Sequence, residues 1–174
     1  MSDVVRPFKG VYPKLGRGVY LADTARVIGD VEIGEDASIW FGSVLRGDVG
    51  SIRVGARSNI QDLSMLHMSR GISNTVIGED VTVGHGVIIH GAIIGDGALI
   101  GMGAILLDNC EIGEEALIAA GTVVTAGTKI PKRSLVLGQP GRVMRALDES
   151  EAQQGRMLAA RYVEVAKSHR ESAG

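Results

Sequence analysis

Residues 94–130 read IGDGALIGMGAILLDNCEIGEEALIAAGTVVTAGTKI, with an aliphatic side chain at every sixth position: Ile94, Ile100, Leu106, Ile112, Ile118, Val124 and Ile130. Two residues before most of them stands something small or β-branched, as in Ala98, Ala104, Cys110, Ala116 and Thr122. Glycine often follows directly, as in Gly95, Gly101 and Gly113. A period of six matches neither the 3.6-residue helix nor plain two-residue alternation. It matches short strands joined by tight turns, each step turning one aliphatic and one small side chain inward, with glycine where the chain bends. Three such steps close a triangular coil, and stacked coils bury a continuous core.

The register extends upstream through Val27, Ile33, Ile39 and Leu45, then, after longer steps, through Val54, Ile60 and Leu66 and through Ile77, Val83 and Ile89. Ala25, Val31, Ala37, Ser43 and Val81 hold the matching small positions. With Leu21 and Val136 at the ends there are nineteen such slots, which at three per coil predict about six coils. The fold class expected is mainly β, a parallel β-helix over residues 1–140, followed by a C-terminal helix and tail over 141–174. Asp148 with Glu151 three residues on forms a capping-box pattern, so a helix is predicted from there to about His169. Its apolar stripe would be Met157, Leu158, Ala159, Tyr162, Val163 and Ala166. His169 reads as a solvated tail residue. Trp40 and Phe41, beside slot residue Ile39, read as packing or subunit contacts.

Composition agrees. The 174 residues suffice for one core, yet aromatics are only 3% while glycine numbers 25, so small and β-branched side chains must fill that core. A net charge of −2 and a pI near 6.1 give no reason to expect nucleic acid or an anionic membrane as partner. No run approaches the roughly 18 apolar residues of a membrane span. The N-terminal residues show no basic segment leading into an apolar one, so no secretory signal is expected. The lone Cys110 suits a reducing cytoplasm.

Two of the four histidines lie in VGHGVIIHG, residues 83–91. Slots three apart share a face, one coil higher, about 4.8 Å away. Leu45, Leu66, Ile89 and Leu106 therefore form one column, and the residues after the first three, Arg46, His67 and His90, should stack along one edge. His85 belongs to the preceding face, level with Gln61, so it could more easily join a pair offered by a neighbouring subunit. These positions lie outside the inward-facing set. Three converging imidazoles are a known zinc ligand set.

The stretches SIWFGSVLRGDVGSIRVGARSNIQDLSMLH (38–67) and IGEDVTVGHGVIIHGAIIG (77–95) resemble the γ-class carbonic anhydrase family. That resemblance alone implies left-handed winding, since ordinary parallel crossovers are right-handed. It also implies a homotrimer with a metal site between adjacent subunits. His67 and His90 of one subunit and His85 of the next would hold Zn2+, or alternatively Fe2+ or Co2+. Arg46 and Asp48 match an interfacial ion pair. Gln61 matches a residue that orients metal-bound water, Asp62 a neighbour in the same network, and Tyr162 a tyrosine reaching toward the site. Asn59 matches a position that supports the fold through backbone bonds in a turn. The implied activity is reversible hydration of CO2 to bicarbonate by metal-bound hydroxide.

The sequence departs from the active members of that family at two points. Val49 stands where they carry glutamate, and MSRGISN (68–74) replaces an acidic loop that shuttles protons. Without a shuttling side chain, proton export to buffer limits turnover. A metal-dependent CoA thioesterase, an acyltransferase-type hexapeptide protein and a metal-binding subunit with little activity stay open as alternatives. GQPGR (138–142) occurs at the end of hexapeptide acyltransferases too and does not discriminate.

Overall fold

A computed structural model of the chain describes residues 4–172; the extreme ends of the stretches read as a leaderless N-terminus and a C-terminal tail lie outside it. The chain forms a parallel β solenoid of about seven turns with a helix at its C-terminal end. One face stacks Tyr20–Leu21, Ser38–Ile39, Asn59–Ile60, Thr82–Val83, Leu99–Ile100, Leu117–Ile118 and Ser134–Gly138, all parallel. The strand Gly141–Ala146 then turns back antiparallel and closes that end. A second face carries Met65–His67, Ile88–His90, Ile105–Leu106 and Val123–Val124. The third carries Thr75–Ile77, Ile93–Ile94, Glu111–Ile112 and Lys129–Ile130.

The inward set is the one the six-residue period selects. Leu45, Leu66, Ile89, Leu106, Ile100 and Ile118 are fully buried, as are Ala98, Ala104 and Cys110 two positions before their slots. Leu45 lies opposite Leu66, Leu66 opposite Ile89, and Ile89 opposite Leu106, forming the expected column. The coil count comes out one higher because Val5 pairs with Val27 and Leu15 with Ile33. Leu15 stands six residues before Leu21 and extends the period by one slot, whereas Val5 lies ten residues further back, beyond a longer step that periodicity alone passes over.

Two strands, Arg26–Ile33 and Val44–Val54, run around the edge between the second and third faces without a break. Their pairing shifts register between Gly29 and Val31; Arg46 and Gly47 are still paired, and the unpaired bend of the longer strand begins at Asp48. At another edge the corner residues Asp36, Arg57, Asp80, Glu115 and Arg133 all adopt positive φ and stack coil upon coil. Arg57 pairs with Asp80 and Arg133 with Glu115. Between them the corner residue is Gly97, and Arg156 of the C-terminal helix fills that gap, bridging Asp80 at 3.2 Å and Glu115 at 3.0 Å.

The helical segments are Glu149–Ala152 and Gln154–Ser172, and the capping box between Asp148 and Glu151 is present in both directions. Strand structure thus continues to Ala146, beyond residue 140. The long helix lies on the first face, but the side it buries is small: Gly155, Ala159 and Ala166. A Cβ at Gly155 would fall on the carbonyl oxygen of Gly97, so only glycine allows this approach. Met157, placed in the stripe by sequence, is 68% exposed. Because the helix backbone rides directly on the sheet, bulky side chains are pushed to its flanks.

Candidate metal centre

His67 and His90 end two parallel strands that pair residue for residue, so their rings stack on adjacent coils with centroids 5.4 Å apart. Each imidazole meets a carboxylate. His67 Nε2 lies 2.9 Å from Asp48 Oδ1, and His90 Nδ1 lies 3.2 Å from Asp108 Oδ1. An ionised carboxylate can only accept, so His67 carries its proton on Nε2 and His90 on Nδ1. Arg46 donates to the other oxygen of Asp48 at 2.6 Å. Within one chain this pair closes on itself. Burial alone would raise the Asp48 pKa, but the donors His67 and Arg46 outweigh it and hold the carboxyl below its ordinary value.

His85 sits at a different edge, two residues beyond the strand Thr82–Val83. Val83 pairs with Ile60, which sets Gly84 beside Gln61 and His85 beside Asp62. His85 Nδ1 accordingly lies 2.8 Å from Asp62 Oδ2. The expected level with Gln61 is therefore off by one residue, because His85 follows its slot by two positions where His67 and His90 follow by one. Among the described residues no group of three His, Cys, Asp or Glu side chains is placed to hold a metal ion. One chain brings His67 and His90 together and leaves His85 apart.

Gln61 is buried, and its amide donates to Asn59 Oδ1 at 3.1 Å. Asn59 donates in turn to Thr82 Oγ1, which donates to the Gly155 carbonyl at the start of the long helix. Asn59 is thus a buried strand residue acting through its side chain, in contrast to the turn bonding expected for it. Tyr162 stands edge-on to Trp40, centroids 5.3 Å apart. Burial and then the charge of Asp62 push its hydroxyl pKa up. His169 stays exposed, as sequence suggested, while its ring packs edge-on against Trp40 at 5.1 Å. Trp40 is a packing residue under that helix.

Sequence reasoning passed over Asp108. Its carboxylate receives Ser69 Oγ at 3.0 Å and a short bond from Ser73 Oγ, besides His90. Burial would raise its pKa, yet Ser73, Ser69 and His90 together hold it below the ordinary carboxylate value. The signal was available: Asp108 stands two residues past Leu106, the next slot of the histidine column. Val49 packs against the core and Met68 is buried, so apolar groups occupy the ground beside Asp48 and His67 where acids were missed.

The family pattern of bacterial transferase hexapeptide repeats matches residues 74–106 and 91–126. A carbonic anhydrase of Geobacillus kaustophilus is 46% identical over 162 residues, covering 92% of this chain and 88% of its own. The chain belongs to the γ-class carbonic anhydrase family of hexapeptide-repeat proteins. Its left-handed β-helix fold goes with that membership. The YrdA protein of Escherichia coli is 42% identical, covering 94% of this chain and 92% of its own. The crystal structure of a hexapeptide transferase family protein from Anaplasma phagocytophilum superposes with a TM-score of 0.92 at 39% identity, covering 97% of this chain and 99% of that one. No helix among the described residues is long and apolar enough to cross a membrane.

Proposed function

We propose that this γ-class carbonic anhydrase relative is a metal-dependent enzyme that hydrates CO2 reversibly to bicarbonate, working in the cytoplasm as a homotrimer with sites shared between subunits. The observation that carries the reading is the set of three imidazoles each backed by its own carboxylate: His67 with Asp48, His85 with Asp62, His90 with Asp108. Metal-ligating histidines characteristically donate their second N–H to such an acceptor. His85 and His90 both donate through Nδ1 and so keep Nε2 free, as a ligand set for Zn2+, Fe2+ or Co2+ requires. His67 fits once Asp48 releases its Nε2.

A bound divalent ion supplies Lewis acidity that turns water into hydroxide near neutral pH. Gln61, locked by Asn59, orients the attacking water, and Asp62 fixes the ring of His85. Arg46 and Asp48 hold the His67 edge, and Tyr162 closes the His85 side from the helix. Exposed aliphatics support the shared arrangement. Met65 and Ile88, two residues before His67 and His90 on the same strands, are 37% and 40% exposed and stack in register. An apolar strip bordering half-buried polar groups suits a subunit contact. The transferase name of the Anaplasma structure fits an acyl-transfer reading, but that chemistry needs one histidine as base, and here three each stand against a carboxylate.

The test is metal content, oligomeric mass and stopped-flow CO2 hydration of untagged protein loaded with zinc or iron, at several buffer concentrations. The expected result is about one ion per chain, a trimer, and low activity that rises with buffer because residues 68–74 carry no acid. Metal-free protein, or His85→Ala that retains full occupancy, overturns the ligand set.

A further inference from the structure

The edge that carries His67 and His90 continues to Asp108, on which the loop 68–74 closes. We propose that Asp108 is the positioning residue for His90, and that Ser69 and Ser73 are the clamp that aims its carboxylate. The inference rests on the metal reading above and adds a residue and a loop to it. The loop brings no acid of its own and instead grips an acid supplied by the next coil.

Three observations meet here. His90 Nδ1 is 3.2 Å from Asp108 Oδ1, which fixes the ring's tautomer and leaves the lone pair on Nε2. Both carboxylate oxygens are tied from the loop side, Oδ2 by Ser69 and Oδ1 by Ser73, while the Ser69 backbone N–H donates to Ser73 Oγ at 3.2 Å. The loop is thereby closed on itself as well as on Asp108. Finally, the residue after His90 is Gly91 with φ +70°, and a Cβ there would run into the Ser73 hydroxyl and the Asp108 carboxylate. The backbone next to the histidine is bare where the clamp needs room.

Asp108 touches His90 and is not itself placed as a ligand, so its effect should appear in how well His90 binds. The experiment strips the protein of metal and titrates Zn2+ against a chromophoric chelator for wild type, D108A, D108N and the double variant S69A/S73A. Side-chain 15N spectra of the metal-free proteins run in parallel. D108A is expected to bind Zn2+ roughly 10- to 100-fold more weakly, and its His90 to lose the Nδ1–H tautomer. D108N should lose less, because an amide oxygen still accepts from Nδ1–H. The serine double variant should lose a few-fold.

Wild-type protein that takes up no Zn2+ overturns the metal reading. Wild type that binds while D108A binds equally, with an unchanged His90 spectrum, overturns only the role of Asp108. Should D108A fail to fold, S69A/S73A leaves every carboxylate and histidine in place, and wild-type affinity in it overturns the clamp.

Discussion

His67 and Asp48 are joined through Nε2, at 2.9 Å, whereas His85 and His90 reach their carboxylates through Nδ1. The three rings therefore hold opposite tautomers in the metal-free chain. A 15N spectrum of that protein should show His67 protonated on Nε2 and the other two on Nδ1. Adding Zn2+ should move His67 into the class of its partners as Asp48 gives it up. Three rings in one tautomer before metal is added would show that Asp48 does not hold His67.

The long helix approaches the sheet through Gly155, where a side chain has no room above the Gly97 carbonyl. Gly155→Ala should cost about 1–3 kcal/mol in denaturant unfolding, the usual range for overpacking. Trp40 is the sole tryptophan and is buried beneath Tyr162 and His169. Its emission should shift to the red as the helix lifts. Unchanged emission and stability together would mean the helix tolerates the methyl by sliding.

Thr122 occupies a small inward slot, and its buried hydroxyl is without a hydrogen-bond partner among the described residues. Ser43 and Ser64, at comparable depth, donate to the carbonyls of Gln61 and Gly84. A buried polar group left unpaired costs on the order of 1–3 kcal/mol. Thr122→Val should therefore stabilise the protein by about 1 kcal/mol, read from the urea midpoint. A loss of stability would reveal a partner for that hydroxyl.

Acid should loosen the helix before the solenoid. The Arg57 guanidinium holds Asp80 below its ordinary pKa against the opposing effect of burial. Burial would raise Glu115, but Arg156 and Arg133 bring it down, and Arg145 takes Glu151 to about 2. Depressed carboxyls stabilise fully above their unfolded values, near about 4, and lose that contribution as pH falls through the folded ones. The melting temperature should be level from neutral pH to about 5, then fall. Arg156→Gln should shrink the acid-dependent part, since less shift remains to be lost; identical acid limbs in the two proteins would refute the assignment.

The inward set of the solenoid was legible because each slot residue does one thing in every coil, and a repeated demand leaves a repeated letter. The His67–His90 pair was legible for the same reason, through column counting. What escaped lay at the corners, where coils differ in length. Ser69 and Ser73 sit in an excursion between two strands, and their partner Asp108 is 35 or more positions away. The partner of His85 was misjudged by one residue because corners shift the offset from slot to side chain. In the helix, Ala159 and Ala166 of the apolar stripe do face the sheet, and what escaped is Gly155, because a glycine adds nothing to an apolar stripe.

The corner where Arg156 stands in for the absent side chain of Gly97 acts as a check on stacking. Below Asp80 in that column is Arg57, and above Glu115 is Arg133. Were the helix to settle one coil too low or too high, its guanidinium would meet another guanidinium in place of an acid. The charge order of that corner thus favours a single seating of the helix, with Arg156 level with Gly97 and an acid on either side.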